Sequence, residues 1–107
     1  ADYTPTFANV AASQTDSSIV AATGGKVIVV HCVAFLTGAT GTAVTFNSKP
    51  AGAGSAISPL FANDANAGAV LPFNPKGWFR TTSGQGLTVT TGAGATTGIL
   101  VGYSKQA

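Results

Sequence analysis

The run Val27-Ile28-Val29-Val30-His31-Cys32-Val33-Ala34-Phe35-Leu36 is the longest apolar stretch of the chain, and its reading decides the fold. It is dense in β-branched residues. Gly24-Gly25 precedes it and Gly38-Ala39-Thr40-Gly41 follows it, the pattern of a strand between turns. Read with period two, Val27, Val29, His31, Val33 and Phe35 share one face, and Ile28, Val30, Cys32, Ala34 and Leu36 share the other. Both faces are mostly apolar. That places Lys26–Thr37 at the centre of a sheet, covered on one side by a second sheet and on the other by a loop or a neighbouring chain. The run is interrupted by His31 and falls short of the ~18–20 apolar residues of a membrane span.

Outward from this strand the pattern repeats. Thr42–Ser48 alternates cleanly, with Val44 and Phe46 on one face, and predicts a hairpin with the central strand across Gly38–Gly41. Further strands are expected at Ser17–Thr23, Trp78–Thr82, Leu87–Thr91 and Thr97–Ser104, with weaker ones at Ala56–Phe61 and Ala67–Phe73. Tyr3–Val10 reads as extended, but Pro5 bars a central-strand role because it has no N–H to give a ladder. Fourteen glycines and five prolines leave few windows for a helix. The expected fold is all-β: a single small β-sandwich, jelly-roll-like, of about eight short antiparallel strands. Residues 1–12 form an extended N-terminal arm, and 13–107 the sandwich domain.

Composition bounds the function. A chain of 107 residues is one domain. Five Lys and Arg against three Asp give +2, yet charged residues are only 7% of the chain, where about 25% is ordinary. This is charge poverty rather than basicity. A nucleic-acid partner, which needs a clustered Lys/Arg footprint, is not expected. Asp2, Asp16 and Asp64 are the only carboxylates, and no Gly-x-Ser-x-Gly elbow is present, so the chain reads as no enzyme. The single Cys32 excludes an internal disulfide and a Cys-based zinc cage; inside its apolar run it is expected as a small buried thiol. His31 is expected to be structural, and no cofactor or metal is implied. Gly92-Ala93-Gly94-Ala95-Thr96-Thr97-Gly98 lacks the Gly-Lys-Ser/Thr ending of a phosphate loop and reads as a link between strands. The start, Ala1-Asp2-Tyr3-Thr4-Pro5, has no basic-then-apolar signal pattern, which predicts synthesis in the cytoplasm and no membrane partner. A small surface so poor in charge is weakly protected against association, which points to an assembly as its natural state.

Asn74-Pro75-Lys76-Gly77 is a β-turn by composition, with proline presetting φ at its second position and glycine free to adopt a positive φ at its fourth. It delivers the chain into Trp78-Phe79-Arg80. The favoured reading makes Trp78 a core anchor, where one large aromatic buries ~150–250 Å². The rival reading exposes Trp78 and Tyr103 as stacking platforms for a sugar, with Asn63, Asn66, Asn74 and Gln85 as the amides that would bond its hydroxyls. Arg80 beside the aromatic pair is placed to stack or to reach a partner's carboxylate or carbonyl.

The run Pro72-Phe73-Asn74-Pro75-Lys76-Gly77-Trp78-Phe79, with Thr81, Gly84 and Leu87 and then Ile99-Leu100-Val101-Gly102-Tyr103, resembles small virion proteins of tailed bacteriophages, among which head decoration or cement proteins are β-sandwiches. The resemblance covers roughly the C-terminal two-thirds of the chain. It implies a jelly-roll-like sandwich on the capsid surface that forms a homotrimer or homodimer and clamps the major capsid protein of a phage head. It brings no catalytic residue. The candidate partner-binding residues are Tyr3, Pro5 and Phe7 of the arm, suited to adding a strand to a neighbour's open edge, together with Trp78 and Arg80. The alternative expectation is a small carbohydrate-binding or receptor-binding module on a virion surface.

Overall fold

The computed structural model describes residues 3–107; Ala1 and Asp2, at the tip of the predicted arm, lie outside the described residues. Nine strands are present among them: β1 Thr4–Val10, β2 Ser17–Val20, β3 Val27–Thr37, β4 Val44–Lys49, β5 Ser55–Ala56, β6 Gly68–Leu71, β7 Phe79–Arg80, β8 Gly86–Thr91 and β9 Thr97–Gln106. They form two antiparallel sheets, β1-β9-β3-β6 and β2-β8-β4-β5, with β7 added to β3 beyond the end of β6. Along the chain β1, β2, β3 and β4 fall alternately in the two sheets, as do β8 and β9. This is the order of a jelly roll, the expected all-β sandwich.

The alternation corrects the predicted hairpin. β3 and β4 are not partners; β3 pairs with β9 over ten positions and β4 with β8 over six. Period-two patterning fixes which side of a strand is buried but not which strand lies beside it. The Gly38–Ala43 link crosses between the sheets instead of turning back. Thr42 pins it there, its Oγ1 donating to the Ala95 carbonyl and accepting from the Ala95 N–H. The predicted strand Ala56–Phe61 shrinks to Ser55–Ala56. Ile57 and Phe61 still bond the β4 backbone, but the Ser58 hydroxyl takes the Phe46 N–H, and Pro59 has no N–H to extend the ladder.

A second correction concerns the faces of β3. The β3–β9 register slips between Val30 and Cys32, a β-bulge at His31. Ile28 and Val30 face the core before it, and Val33 and Phe35 after it, so the two faces read from strict alternation are spliced at that point. Cys32, Ala34 and Leu36 turn outward. The core lies between the sheets: Val44, Phe46, Leu87 and Val89 from one meet Ile28, Val30, Val33, Phe35, Ile99 and Val101 from the other. Phe46 is fully buried, with the rings of Phe79 at 5.4 Å and Phe35 at 6.3 Å. Each such side chain, removed from water, stabilises the fold by about 1.5–3 kcal/mol.

Candidate interaction face

The arm is the third correction. Thr4–Val10 is extended as predicted, but it is not left without a place in its own sheet: all seven residues pair with β9, from Thr4 opposite Tyr103 to Val10 opposite Thr97. Pro5 is tolerated because β1 is an edge strand. Pairing turns Pro5, Phe7 and Asn9 to the outside of the sandwich, and these side chains begin a surface that continues over four strands.

Residues opposite one another in an antiparallel ladder present their side chains on the same face. Phe7, Leu100, Ala34 and Val70 therefore form one row across β1, β9, β3 and β6. Asn9, Gly98, Leu36 and Gly68 form the row on one side of it, and Pro5, Gly102 and Cys32 the row on the other. None of these positions is charged. Phe7 is 77% exposed, Val70 73% and Leu100 51%, and Leu36 is also exposed. Between them lies an open depression of about 620 Å³, lined mainly by Phe7, Leu36, Val70 and Leu100 around Ala34 and Gly98. Cys32 is half-buried on this face rather than in the core.

The opposite sheet is built differently. Its outer rows run Ser18, Thr88, Asn47, Ala56 and then Thr90, Thr45. These side chains are tied together: Asp16 accepts from the Thr88 hydroxyl at 3.0 Å and from the Gly54 N–H at 3.1 Å, and Asn47 Nδ2 donates to Thr90 Oγ1 at 2.8 Å. One side of the sandwich is thus polar and satisfied, and the other apolar and open. Contiguous exposed apolar surface of this kind marks contact sites.

At the β3 bulge the apolar side ends in an aromatic cluster. His31 is buried, with Nδ1 2.8 Å from the Asn74 carbonyl and Nε2 2.7 Å from Ser104 Oγ. The Tyr3 ring stands edge-on 4.7 Å above it, and Phe73 lies 5.1 Å from Tyr3. The Asn74–Gly77 turn forms as predicted, with Gly77 at φ 86°, its N–H on the Asn74 carbonyl, and Lys76 N–H on Asn74 Oδ1. Among the described residues no group of three or more His, Cys, Asp or Glu is placed to hold a metal ion. No helix there is long and apolar enough to cross a membrane.

Trp78 is not a core anchor. It is 44% exposed, with its indole N–H donating to the Pro72 carbonyl at 2.7 Å. The core place goes to Phe79, opposite Val30, and alternation then turns Trp78 outward. Arg80 is exposed and donates through Nη2 to the Lys76 carbonyl. Of the predicted contact residues, Pro5 and Phe7 share the apolar face, Tyr3 caps its end, Trp78 directly follows the adjoining turn and Arg80 lies in β7 opposite Val29. Leu36, Val70 and Leu100 were missed. Their signal is present in the outward positions of three strands, but it emerges only when pairing and the bulge align them. Of the amides proposed for a sugar, Asn74 stands in the turn before Trp78, its Oδ1 accepting from the Lys76 N–H, while Asn63 donates to the Thr42 and Phe61 carbonyls and Gln85 accepts from Ser48; Tyr103 packs against the core.

No protein-family model matches this chain, and no curated protein matches it in sequence.

Proposed function

We propose that this chain is a structural virion protein, a decoration or cement protein that assembles with copies of itself and binds the outside of a phage head, where it stabilises the lattice of the major capsid protein. The observation that carries the reading is the apolar, uncharged outer face of the β1-β9-β3-β6 sheet on a molecule whose other face is polar and internally bonded. The centres of protein interfaces are depleted of charge in this way. The resemblance of Pro72–Phe79 and Ile99–Tyr103 to phage head proteins supplies the partner class. A lattice multiplies modest contacts through effective concentration, so a small face suffices when many copies engage at once.

The test is addition of the purified chain to heads that lack it. Binding at a fixed ratio per capsomer, with a raised temperature of head disruption, is expected, and Leu100→Lys is expected to lose both. Absence of co-sedimentation at micromolar concentrations of chain sinks the reading.

The exposure of Trp78 favours one second reading, a sugar-binding module centred on its ring and Phe73. A shift of tryptophan emission on titration with mono- and oligosaccharides supports it, and an unmoved spectrum removes it.

A further inference from the structure

The two central strands of the apolar sheet carry a regular size pattern. Where β9 and β3 lie side by side, Gly98 opposes Leu36, Leu100 opposes Ala34, and Gly102 opposes Cys32. Each pair joins a larger residue to a smaller one, and the larger member changes strand between the first two pairs. A two-fold axis running along the strands, midway between β9 and β3, would set β9 of one copy over β3 of the other. Leu100 then faces Ala34, Leu36 faces Gly98 and Cys32 faces Gly102, so on the two central strands each projection meets a hollow, while at the flanks β1 lies over β6 and Phe7 faces Val70 as an apolar pair. An isologous interface requires this kind of self-complementarity, residue i on j and j on i.

Gly98 gives an independent sign. It sits inside β9, where glycine costs conformational entropy and contributes no packing. Its own chain does not require it: a Cβ at 98 would meet only Asn9 Oδ1, at an ordinary 3.6 Å, and its φ is not in the left-handed region. A glycine in a strand interior without such a reason marks a place where another surface approaches closely. A stable dimer buries about 800 Å² on each partner, and a molecule 39 × 30 × 19 Å across has a broad side large enough to hold a contact of that size.

We infer that the outer face of the β1-β9-β3-β6 sheet closes on a second copy of this chain in a face-to-face two-fold dimer, with Leu100 and Leu36 of each copy seated on Ala34 and Gly98 of the other. The inference rests on the reading of the chain as an assembling protein and names the first surface that assembly uses.

The test is solution mass by sedimentation equilibrium, with circular dichroism to verify folding, on variants that change size at the proposed contacts. The wild-type chain is expected to be a dimer. Ala34→Leu, which places leucine against Leu100 of the other copy, is expected to halve the mass, as is Gly98→Leu. The double variant Ala34→Leu/Leu100→Ala exchanges projection and hollow and is expected to restore the dimer, whereas Thr45→Lys on the opposite sheet leaves it intact. A monomeric or trimeric wild type overturns the inference, as does a dimer indifferent to Ala34→Leu. The head-binding assay separates the two proposals. A monomer that binds heads through Leu100 ends the dimer and keeps the decoration reading, while a dimer that ignores heads does the reverse.

Discussion

Cys32 stands opposite Gly102 in the β3–β9 ladder, and a Cβ on residue 102 would run into the Cys32 sulfur. The bulge at His31 creates this opposition, because the slipped register brings these two residues together on the outer face. Glycine at 102 is therefore set by a neighbour in its own chain, unlike Gly98. Gly102→Ala is expected to destabilise the fold by about 1–3 kcal/mol, the usual cost of overpacking. Cys32→Ala, neutral or nearly so by itself, should recover most of that loss in the double variant. Urea denaturation at low protein concentration checks both; an additive double variant would show that the clash is not the cause.

Trp78 offers an optical check on the turn that carries it. With Trp78 44% exposed and the only tryptophan, emission is expected to be red-shifted and open to acrylamide quenching in the folded chain. Its indole N–H is held by the Pro72 carbonyl, so the ring is fixed in place as well as accessible. Blue-shifted emission resistant to quencher would put the indole back in the core and Phe79 out of it.

The fold class was legible because short β-branched runs between glycine-rich turns leave little else to build. The segments around β3, β4, β8 and β9 were recognisable from alternation alone. Partnership was not: Gly38–Gly41 has the composition of a tight turn, and only the bonds of Thr42 to Ala95 reveal a crossing between sheets. The bulge at His31 was equally silent, since the run is apolar on both faces before and after the histidine, and a slip of one residue there leaves the alternation no less plausible. That silence also hid the interaction face. Phe7, Leu100, Ala34 and Val70 are scattered along the sequence and become one surface through three ladders. Trp78 and Phe79 are adjacent aromatics, and alternation allowed either one to be inside.

The two phenylalanines Phe46 and Phe7 should separate stability from assembly. Phe46 is fully buried among the rings of Phe35, Phe61 and Phe79, and Phe46→Ala is expected to cost about 3–5 kcal/mol. Phe7 is 77% exposed on the open face, so Phe7→Ser is expected to change the stability of the single chain by less than about 0.5 kcal/mol. Its effect should appear instead as weakened self-association and head binding. Thermal melts beside sedimentation at matched concentrations make the comparison; a large loss of stability in Phe7→Ser would mean that β1 is held by that side chain rather than by its ladder.

His31 occupies the extra position of the β3 bulge and bonds at both ring nitrogens, to the Asn74 carbonyl and to the buried Ser104 hydroxyl. One histidine thus fastens the Asn74–Gly77 turn to β3 on one side and β9 on the other, while its ring supports Tyr3 at the start of β1. His31→Phe keeps the ring but leaves both polar partners without it, which is expected to destabilise the fold by about 1–3 kcal/mol. The Asn74 carbonyl keeps the Gly77 N–H, and Ser104 Oγ still accepts from Gln106 Nε2 at 3.1 Å, so the unmet group is chiefly the Ser104 hydroxyl proton, which Nε2 accepts while Nδ1–H donates to Asn74. The turn also keeps the Asn74 N–H on the His31 carbonyl, so quenching of Trp78 should rise in His31→Phe only together with global unfolding. Adding Ser104→Ala removes the unmet donor and should restore most of the stability. If it restored only a minor part, the hold of the ring on the Asn74 carbonyl, and not the Ser104 contact, would be what the histidine provides.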